Sequence, residues 1–388
     1  MRLGVFSDSR YQSHDRRLWS HQAFISFVTA LPPRVDELVL FGRVEPTPTP
    51  SHYELPRERI RFVPLPHYPS ITSVGGQLRA VRKTRRIFEA ELERLDGAWI
   101  FGPHPMASAL AWTAKRRGFP LALGVRQDYP RYIAARLPSR KWAWAVGAAY
   151  ALDSSFRALA RSTPTVAVGD DLAAKYRGGR APVLSTGFSL VRADDVVDAA
   201  EAFGRSSDGE IHLLSVGRLD PEKNPLLLLD ILERLRNQGS WRLTIAGDGP
   251  LADELAQSVA ERGLGDAVEL VGYVAQGARL RALYRAHHAF VHVALTEGFP
   301  QVLFEAQAAG LPFVATDVGG VGAFLQRSGA GLLVPPADAD AAAAALLRLR
   351  DPELRRRLIE SGLRSAHEET TEAQLDRIAD FLRENLRR

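Results

Sequence analysis

The stretch AFVHVALTEGFPQVLFEAQAAGLPFVAT, residues 289–316, breaks into three pieces that decide the architecture. Ala289–Val293 is a short, almost unbroken apolar run, suited to a strand covered on both faces. Pro300 follows after a polar loop; its set φ and missing N–H suit the first position of a helix. Helical spacing then runs through Pro300–Ala309 and stops at Gly310, and Pro312–Thr316 opens a second apolar run. Strand, helix and strand in so short a span make one unit of a parallel sheet.

The same grammar spreads outward in both directions. Toward the C-terminus lies a strand candidate at Gly331–Val334 and a helix at Ala339–Arg350. Toward the N-terminus come strands Ile211–Val216, Arg242–Gly247 and Val268–Gly272, with helices at Pro225–Asn237, Leu251–Arg262 and Gly277–Ala286 between them. The first half repeats the pattern with strands Leu3–Ser7, Leu38–Gly42, Arg61–Leu65, Ala98–Gly102, Leu121–Val125 and Val166–Gly169. Helical patterns there cover Gln77–Leu95, Met106–Arg117 and Lys141–Ala160. Repeated βα alternation predicts parallel sheets with helices on both faces. A chain of 388 residues suits two such domains.

The join is expected near Ser189–Gly209, where strand periodicity lapses and a Ser/Asp/Gly cluster follows. The predicted organisation is an N-terminal domain over 1–192, a second over 193–370, and a final helix over 371–388. The proline-dense Pro46–Pro50 reads as an extended surface loop.

Composition narrows the class. Hydrophobic residues at 46% and charged residues at 24% are ordinary globular values. With no cysteine, disulfide frameworks and thiolate metal sites are excluded. The N-terminal MRLGVFSDSR turns polar too early for a signal peptide. No run approaches the roughly 20 apolar residues of a spanning helix, so the expected location is cytoplasmic, with peripheral attachment to the inner membrane face left open. The net charge of +5 conceals a split: residues 1–196 hold 29 Lys+Arg against 17 Asp+Glu (+12), and the remainder holds 21 against 28 (−7). A basic first half suits an anionic surface or acceptor, or is simply a solvated arginine-rich face. Arg136–Trp144, with Arg79, Arg82, Arg85 and Arg86, forms either a Trp-bearing membrane-facing patch or a helix start whose tryptophans pack in the core. Basic residues without interleaved aromatics or a reader module argue against nucleic acid.

In open α/β sheets ligands bind beyond the carboxyl ends of strands. After Ile211–Val216 comes Gly217-Arg218-Leu219-Asp220-Pro221-Glu222-Lys223-Asn224. Gly217 lets backbone approach a ligand, and Arg218 and Lys223 suit a diphosphate gaining charge as it departs. The plainer alternative pairs them with Asp220 and Glu222 on a turn. After Ala289–Val293, Glu297 can reach a sugar hydroxyl, and N–H groups around Phe299–Val302 face any anion. Glu305, more than a turn into the helix, can accept two hydrogen bonds from a ribose diol. Alone, such a pair also describes an ordinary helix entry.

Five segments in order, SVGRLDPEKN, LTIAGDGPL, VELVGYV, AFVHVALTEGFPQVLFEAQAAGLPFVATDVGG and GLLVPPAD, resemble the retaining glycosyltransferases of the two-domain GT-B fold, most closely family 4. Glu297 and Glu305 match that family's E-x7-E pair. The resemblance implies an EC 2.4 enzyme that moves a sugar from a UDP- or GDP-sugar with retention, with no metal and no bound cofactor. It implies that Arg218 and Lys223 hold the leaving diphosphate, Glu297 the sugar and Glu305 the ribose. Backbone of Phe299, Pro300, Gln301, Val302 and Leu303 would lie against sugar and phosphates, and Gly272-Tyr273-Val274 would border the base. His104, after Ala98–Gly102, resembles the family's histidine that faces the donor sugar; its other reading is a helix cap. Arg126–Tyr129 and His14–Arg16 also follow strands and are acceptor-side candidates.

Two departures stand out. The loop Ser7-Asp8-Ser9-Arg10-Tyr11 replaces a frequent Gly-Gly pair, and Ala323 stands where a glutamate often follows Gly319-Gly320. The acceptor, be it glycolipid, polysaccharide or small molecule, is left open. So are a sugar-nucleotide epimerase, a phosphorylase on the same fold, and a silent nucleotide-sugar-binding protein.

Overall fold

The computed structural model describes residues 1–14, 17–20, 22–45, 53–56, 58–67, 74–134, 143–205, 209–298 and 300–387. The chain divides into two compact units, one of Met1–Leu190 with Gln374–Arg388, the other Val191–Ala373.

In the first unit the strands are β1 (Arg2–His14), β2 (Arg17–Ser20), β3 (Glu37–Val44), β4 (Tyr53–Glu54), β5 (Ile60–Leu65), β6 (Gly97–Gly102), β7 (Leu121–Val125), β8 (Thr165–Val168) and β9 (Val183–Thr186). Seven run parallel in the order β5-β3-β1-β6-β7-β8-β9. β2 pairs antiparallel with the far end of β1, and β4 with β2. Successive residues serve opposite faces: Leu3 and Val5, with Trp99 and Phe101, join one core, whereas Phe6, with Ala98 and Ile100, joins the other. Both faces are therefore apolar, which is why these strands lack polar alternation. The helix Thr371–Asn385 adds Leu375, Ile378 and Leu382 to the first of those cores, and Leu386 follows them. Leu386 lies so close to Gly97 that a Cβ there would stand 2.9 Å from its Cδ1.

The loop expected at Ser7–Tyr11 is instead strand. β1 shifts register between Phe6 and Arg10 and continues to His14, and β2 supplies the pairing partner that makes this possible. β2, β4 and β9 escaped the sequence reading because each is short and mixes polar with apolar residues, so none stands out as an apolar run.

The second unit holds β10 (Ile211–Val216), β11 (Trp241–Ala246), β12 (Val268–Gly272), β13 (Ala289–His292), β14 (Phe313–Thr316) and β15 (Gly331–Val334). All are parallel, in the order β12-β11-β10-β13-β14-β15. Counted along the chain, this is the 3-2-1-4-5-6 arrangement of doubly wound sheets, and the first unit's parallel strands begin the same way. The order reverses between β10 and β13 in the second unit and between β1 and β6 in the first. Crossover helices leave a crevice at each reversal, so the loops that matter are the two after β10 and β13 and the two after β1 and β6.

Among the described residues no helix is long and apolar enough to cross a membrane. Trp144 is exposed at the start of its helix, as are Arg82, Lys83, Arg85 and Arg86 on theirs. Residues 135–142, Pro46–Pro50, Asp15 and Arg16, which bear earlier expectations, lie outside the described residues, as does the side chain of Arg79.

Candidate functional site

The two loops at the second unit's strand reversal are tied together by their own backbones. After β10, Gly217 N–H donates to Ala246 O (3.0 Å) and Leu219 N–H to Asp248 O (2.9 Å). Pro221–Lys223 form one 3₁₀ turn, with proline first and Asn224 in the left-handed conformation ending it. The loop after β13 joins this turn where Leu295 N–H donates to Glu222 O at 2.8 Å. That strap sets Lys223 against Glu297, 74 residues further along the chain, with Nζ 2.6 Å from Oε2. The same oxygen lies 3.3 Å from Nε2 of His292, the buried last residue of β13. Oε1 accepts from the N–H of Gly298 at 3.1 Å.

Electrostatics follow from this packing. Burial works hardest on Glu297, against ionisation, yet the His292 imidazole and the charge and hydrogen bond of Lys223 together hold the carboxyl down at about 2. Glu297 is thus an anion throughout the physiological range. Arg218 behaves differently. It is exposed and pairs with Asp220 and, at 2.7 Å, with Glu222, which is the turn-surface pairing considered from the sequence. Arg218 and Lys223 are therefore both held by carboxylates, and an arriving diphosphate would compete for them.

A cavity of about 260 Å³ is walled by Gly217, Arg218, Lys223, Glu297, Gln301 and Val302, with His292 among the others that line it. Pro300 precedes the helix Gln301–Ala308 rather than starting it, because its ψ of 82° is not helical. Leu303 is wholly buried and its N–H donates to Pro300 O at 3.0 Å. Gly272, Tyr273, Val274 and Glu305 do not line the cavity; Gly272 has φ of 67°, and Tyr273 is exposed. Phe299 lies outside the described residues.

Glu305 is half-buried on the same helix, and Tyr284 Oη donates to its Oε2 at 2.8 Å. Burial pushes the carboxyl up to about 7, with the Tyr284 hydrogen bond opposing and Asp195 adding to the rise. His292 and Tyr284 were not singled out from the sequence. A polar residue closing an otherwise apolar strand was a signal for His292. Tyr284 sits among Leu280 and Leu283 at helical spacing and gave none.

Gly319 and Gly320 buttress the Glu297 loop from below. A Cβ on Gly319, whose φ is 54°, would stand 1.7 Å from Glu297 O, and one on Gly320 would stand 2.6 Å from Gly298 O. The backbone oxygens cannot yield without moving Glu297. Gly319→Ala is therefore expected to lower stability by about 2–4 kcal/mol and to weaken ligand binding at Glu297. Urea unfolding beside ligand titration checks this, and an undisturbed binding constant would show that the loop tolerates the shift.

In the first unit His104 caps the helix Pro105–Arg116, its Nδ1 accepting from Met106 N–H at 3.3 Å. Its Nε2 lies 3.1 Å from Asp8 Oδ2, and Asp8 Oδ1 lies 2.9 Å from Arg43. Burial depresses the imidazole most, Asp8 raises it and Arg43 lowers it, with a net fall; the ring is neutral at pH 7. Arg126, directly after β7, stacks its guanidinium on the Phe24 ring at 3.9 Å.

Strand order, paired sheets and the placement of these loops define the GT-B class, and solved structures share the whole path of the chain. Sucrose-phosphate synthase from Thermosynechococcus elongatus superimposes with a TM-score of 0.70 at 20% identity over 99% of this chain and 98% of that one. Anabaena Alr3699/HepE in complex with UDP does so with a TM-score of 0.69 at 17% identity, covering 99% and 100%. Within that class, residues 198–364 match the model of the glycosyl transferases group 1 family. Among curated relatives, the amylovoran biosynthesis glycosyltransferase AmsK of Erwinia amylovora is 36% identical over 150 residues, 37% of this chain and 37% of that protein. The chain spans between 15% and 37% of the length of the first such relatives it matches.

Proposed function

We propose that the chain transfers a sugar from a nucleoside diphosphate sugar, UDP- or GDP-linked, to an acceptor hydroxyl with retention of anomeric configuration and without a bound metal. The observation that carries this reading is the Lys223–Glu297–His292 cluster at the strand reversal of a group 1 unit. UDP in the Anabaena structure supports the donor class. The name of the Erwinia relative favours a saccharide acceptor.

In this reading the diphosphate draws Lys223 and Arg218 away from their carboxylates, and the two cations offset the charge that builds on the departing nucleotide. Glu297, ionised and held in place, accepts hydrogen bonds from the transferred sugar. Glu305 accepts from the ribose diol, which favours its charged form. His104 contacts the sugar and is assigned no proton transfer, since its Nδ1 accepts from Met106 and its Nε2 is engaged with Asp8. Displacement on one face, with the leaving phosphate taking the acceptor proton, needs no further base; a covalent glycosyl-enzyme trapped by mass spectrometry would overturn that route. Exposed Trp144 and the exposed arginines of helix Val74–Glu91 support attachment of a cytoplasmic enzyme to an anionic membrane face.

A panel of nucleotide sugars, scored for thermal stabilisation and then for slow hydrolysis, tests the assignment. Stabilisation by at least one nucleoside diphosphate with turnover is expected. No stabilisation by any of them sinks the reading, and binding without turnover favours the silent module.

A further inference from the structure

Among the described residues Arg126 is a cation without a counter-ion. It follows β7 directly, at the carboxyl edge of the first unit's sheet and one strand from the reversal at β6. Its guanidinium lies 3.9 Å over Phe24 and 5.8 Å from the ring of Phe101. Those rings are buried and hold each other edge to face at 4.8 Å, so the platform beneath the charge is rigid. Other arginines of this unit follow a different rule. Arg43 pairs with Asp8 at 2.9 Å, Arg61 with Glu91 at 2.8 Å and Arg157 with Asp153 at 3.0 Å. Among the described residues no carboxylate or carbonyl accepts from Arg126. The anionic side chain nearest in influence is Asp8, and it is already satisfied by Arg43 and His104.

Desolvation pulls the guanidinium down to about 10, so it stays charged at neutral pH and bears an uncompensated penalty. Stacking on Phe24 offsets part of it. The fork of N–H donors, five in a planar guanidinium, still lacks an acceptor.

We propose that Arg126 holds an anionic group of the acceptor, a phosphate or a carboxylate, so that the first unit selects a negatively charged saccharide or its conjugate. The word acceptor rests on the glycosyltransferase reading; the anion site itself does not. A planar fork seated on an aromatic face pairs with two oxygens of such a group at once.

The test titrates the full chain with glucose, glucuronate and glucose 6-phosphate, and separately with UDP, for wild type, Arg126→Gln and Arg126→Lys. An anionic probe is expected to bind at least about tenfold tighter than glucose, R126Q to abolish that margin, R126K to keep part of it, and UDP affinity to stay unchanged in all three. Preference for glucose 6-phosphate over glucuronate assigns a phosphate, and the reverse a carboxylate. Phenylglyoxal labelling of Arg126 in the wild type, read by peptide mass spectrometry, should be slowed by the preferred anion and not by glucose, which keeps a readout should R126Q fold poorly. Equal affinity for charged and neutral probes, absence of binding by all three, or an R126Q margin like that of wild type overturns the proposal. Loss of UDP binding with the anion margin intact would instead sink the donor reading alone.

Discussion

Lys223→Ala is expected to lower the rate of sugar transfer by about 10²–10³-fold, the range seen when one preorganised charge at a developing anion is removed. Two consequences combine. The departing diphosphate loses the ammonium nearest the cavity floor, and Arg218, exposed and bound to Asp220 and Glu222, replaces it poorly. Glu297 meanwhile loses the partner at 2.6 Å and keeps His292 and the Gly298 N–H. Its carboxyl, held at about 2 by that pair against burial, must then rise. The sign is fixed by linkage: a carboxyl depressed in the folded state stabilises the fold above its unfolded pKa, and that contribution disappears as pH falls toward the folded value. Lys223→Ala should therefore also move acid unfolding to higher pH. Lys223→Arg, which restores charge with the wrong shape, should recover acid stability better than rate. Single-turnover transfer and acid-induced unfolding, measured on the same proteins, check both; an unchanged rate would remove Lys223 from the chemistry.

Glu305→Gln should make nucleotide binding insensitive to pH. In the unliganded wild type the Glu305 carboxyl stands at about 7 because burial outweighs the Tyr284 hydrogen bond. A ribose diol donates to the ionised form, so UDP affinity should climb as pH rises toward 7, by up to about tenfold per unit below it, and level off above. Isothermal titration from acidic to mildly alkaline pH would show the slope in wild type and its absence in the variant, with weaker binding at the alkaline end. Stability moves the opposite way. A carboxyl raised in the folded state costs stability as pH increases from the unfolded value through the folded one. The unliganded Glu305→Gln protein should therefore outlast wild type above neutrality, by an amount on the order of 3 kcal/mol at most. A slope that persists in the variant would assign the titration to another group.

Much of the fold was legible because its signals are local. Leu121–Val125, Ile211–Val216, Val268–Gly272 and Gly331–Val334 are strands with the limits read from short, largely apolar runs, a signal that needs no partner's identity to declare itself. β2, β4 and β9 were not legible, because polar residues break their short stretches and leave no apolar run to read. The continuation of β1 past Ser7 shows the same limit. Its polar residues read as a loop, and pairing with β3 at Arg10 and Tyr11 and with β2 from Tyr11 to His14 makes them a strand.

For the site, the residue types were readable and their pairings were not. Arg218, Lys223, Glu297 and Glu305 could be picked out as groups standing just after strands or inside a helix entry, because strand ends in open α/β sheets are where ligands gather. That Lys223 rather than Arg218 meets Glu297, that His292 shares the same oxygen, and that Tyr284 anchors Glu305 are decisions of the tertiary structure. The reason lies in distance along the chain. Periodicity and turn chemistry act over a few residues, whereas β10 and β13 become neighbours only when the sheet closes its order, bringing together loops 74 residues apart. The sequence by itself determined the alternating strands and helices and the charged groups at their ends. Folding alone decided which charge faces which, and so where a ligand finds an ionised carboxylate, an engaged lysine and, in the first unit, an arginine stacked on Phe24.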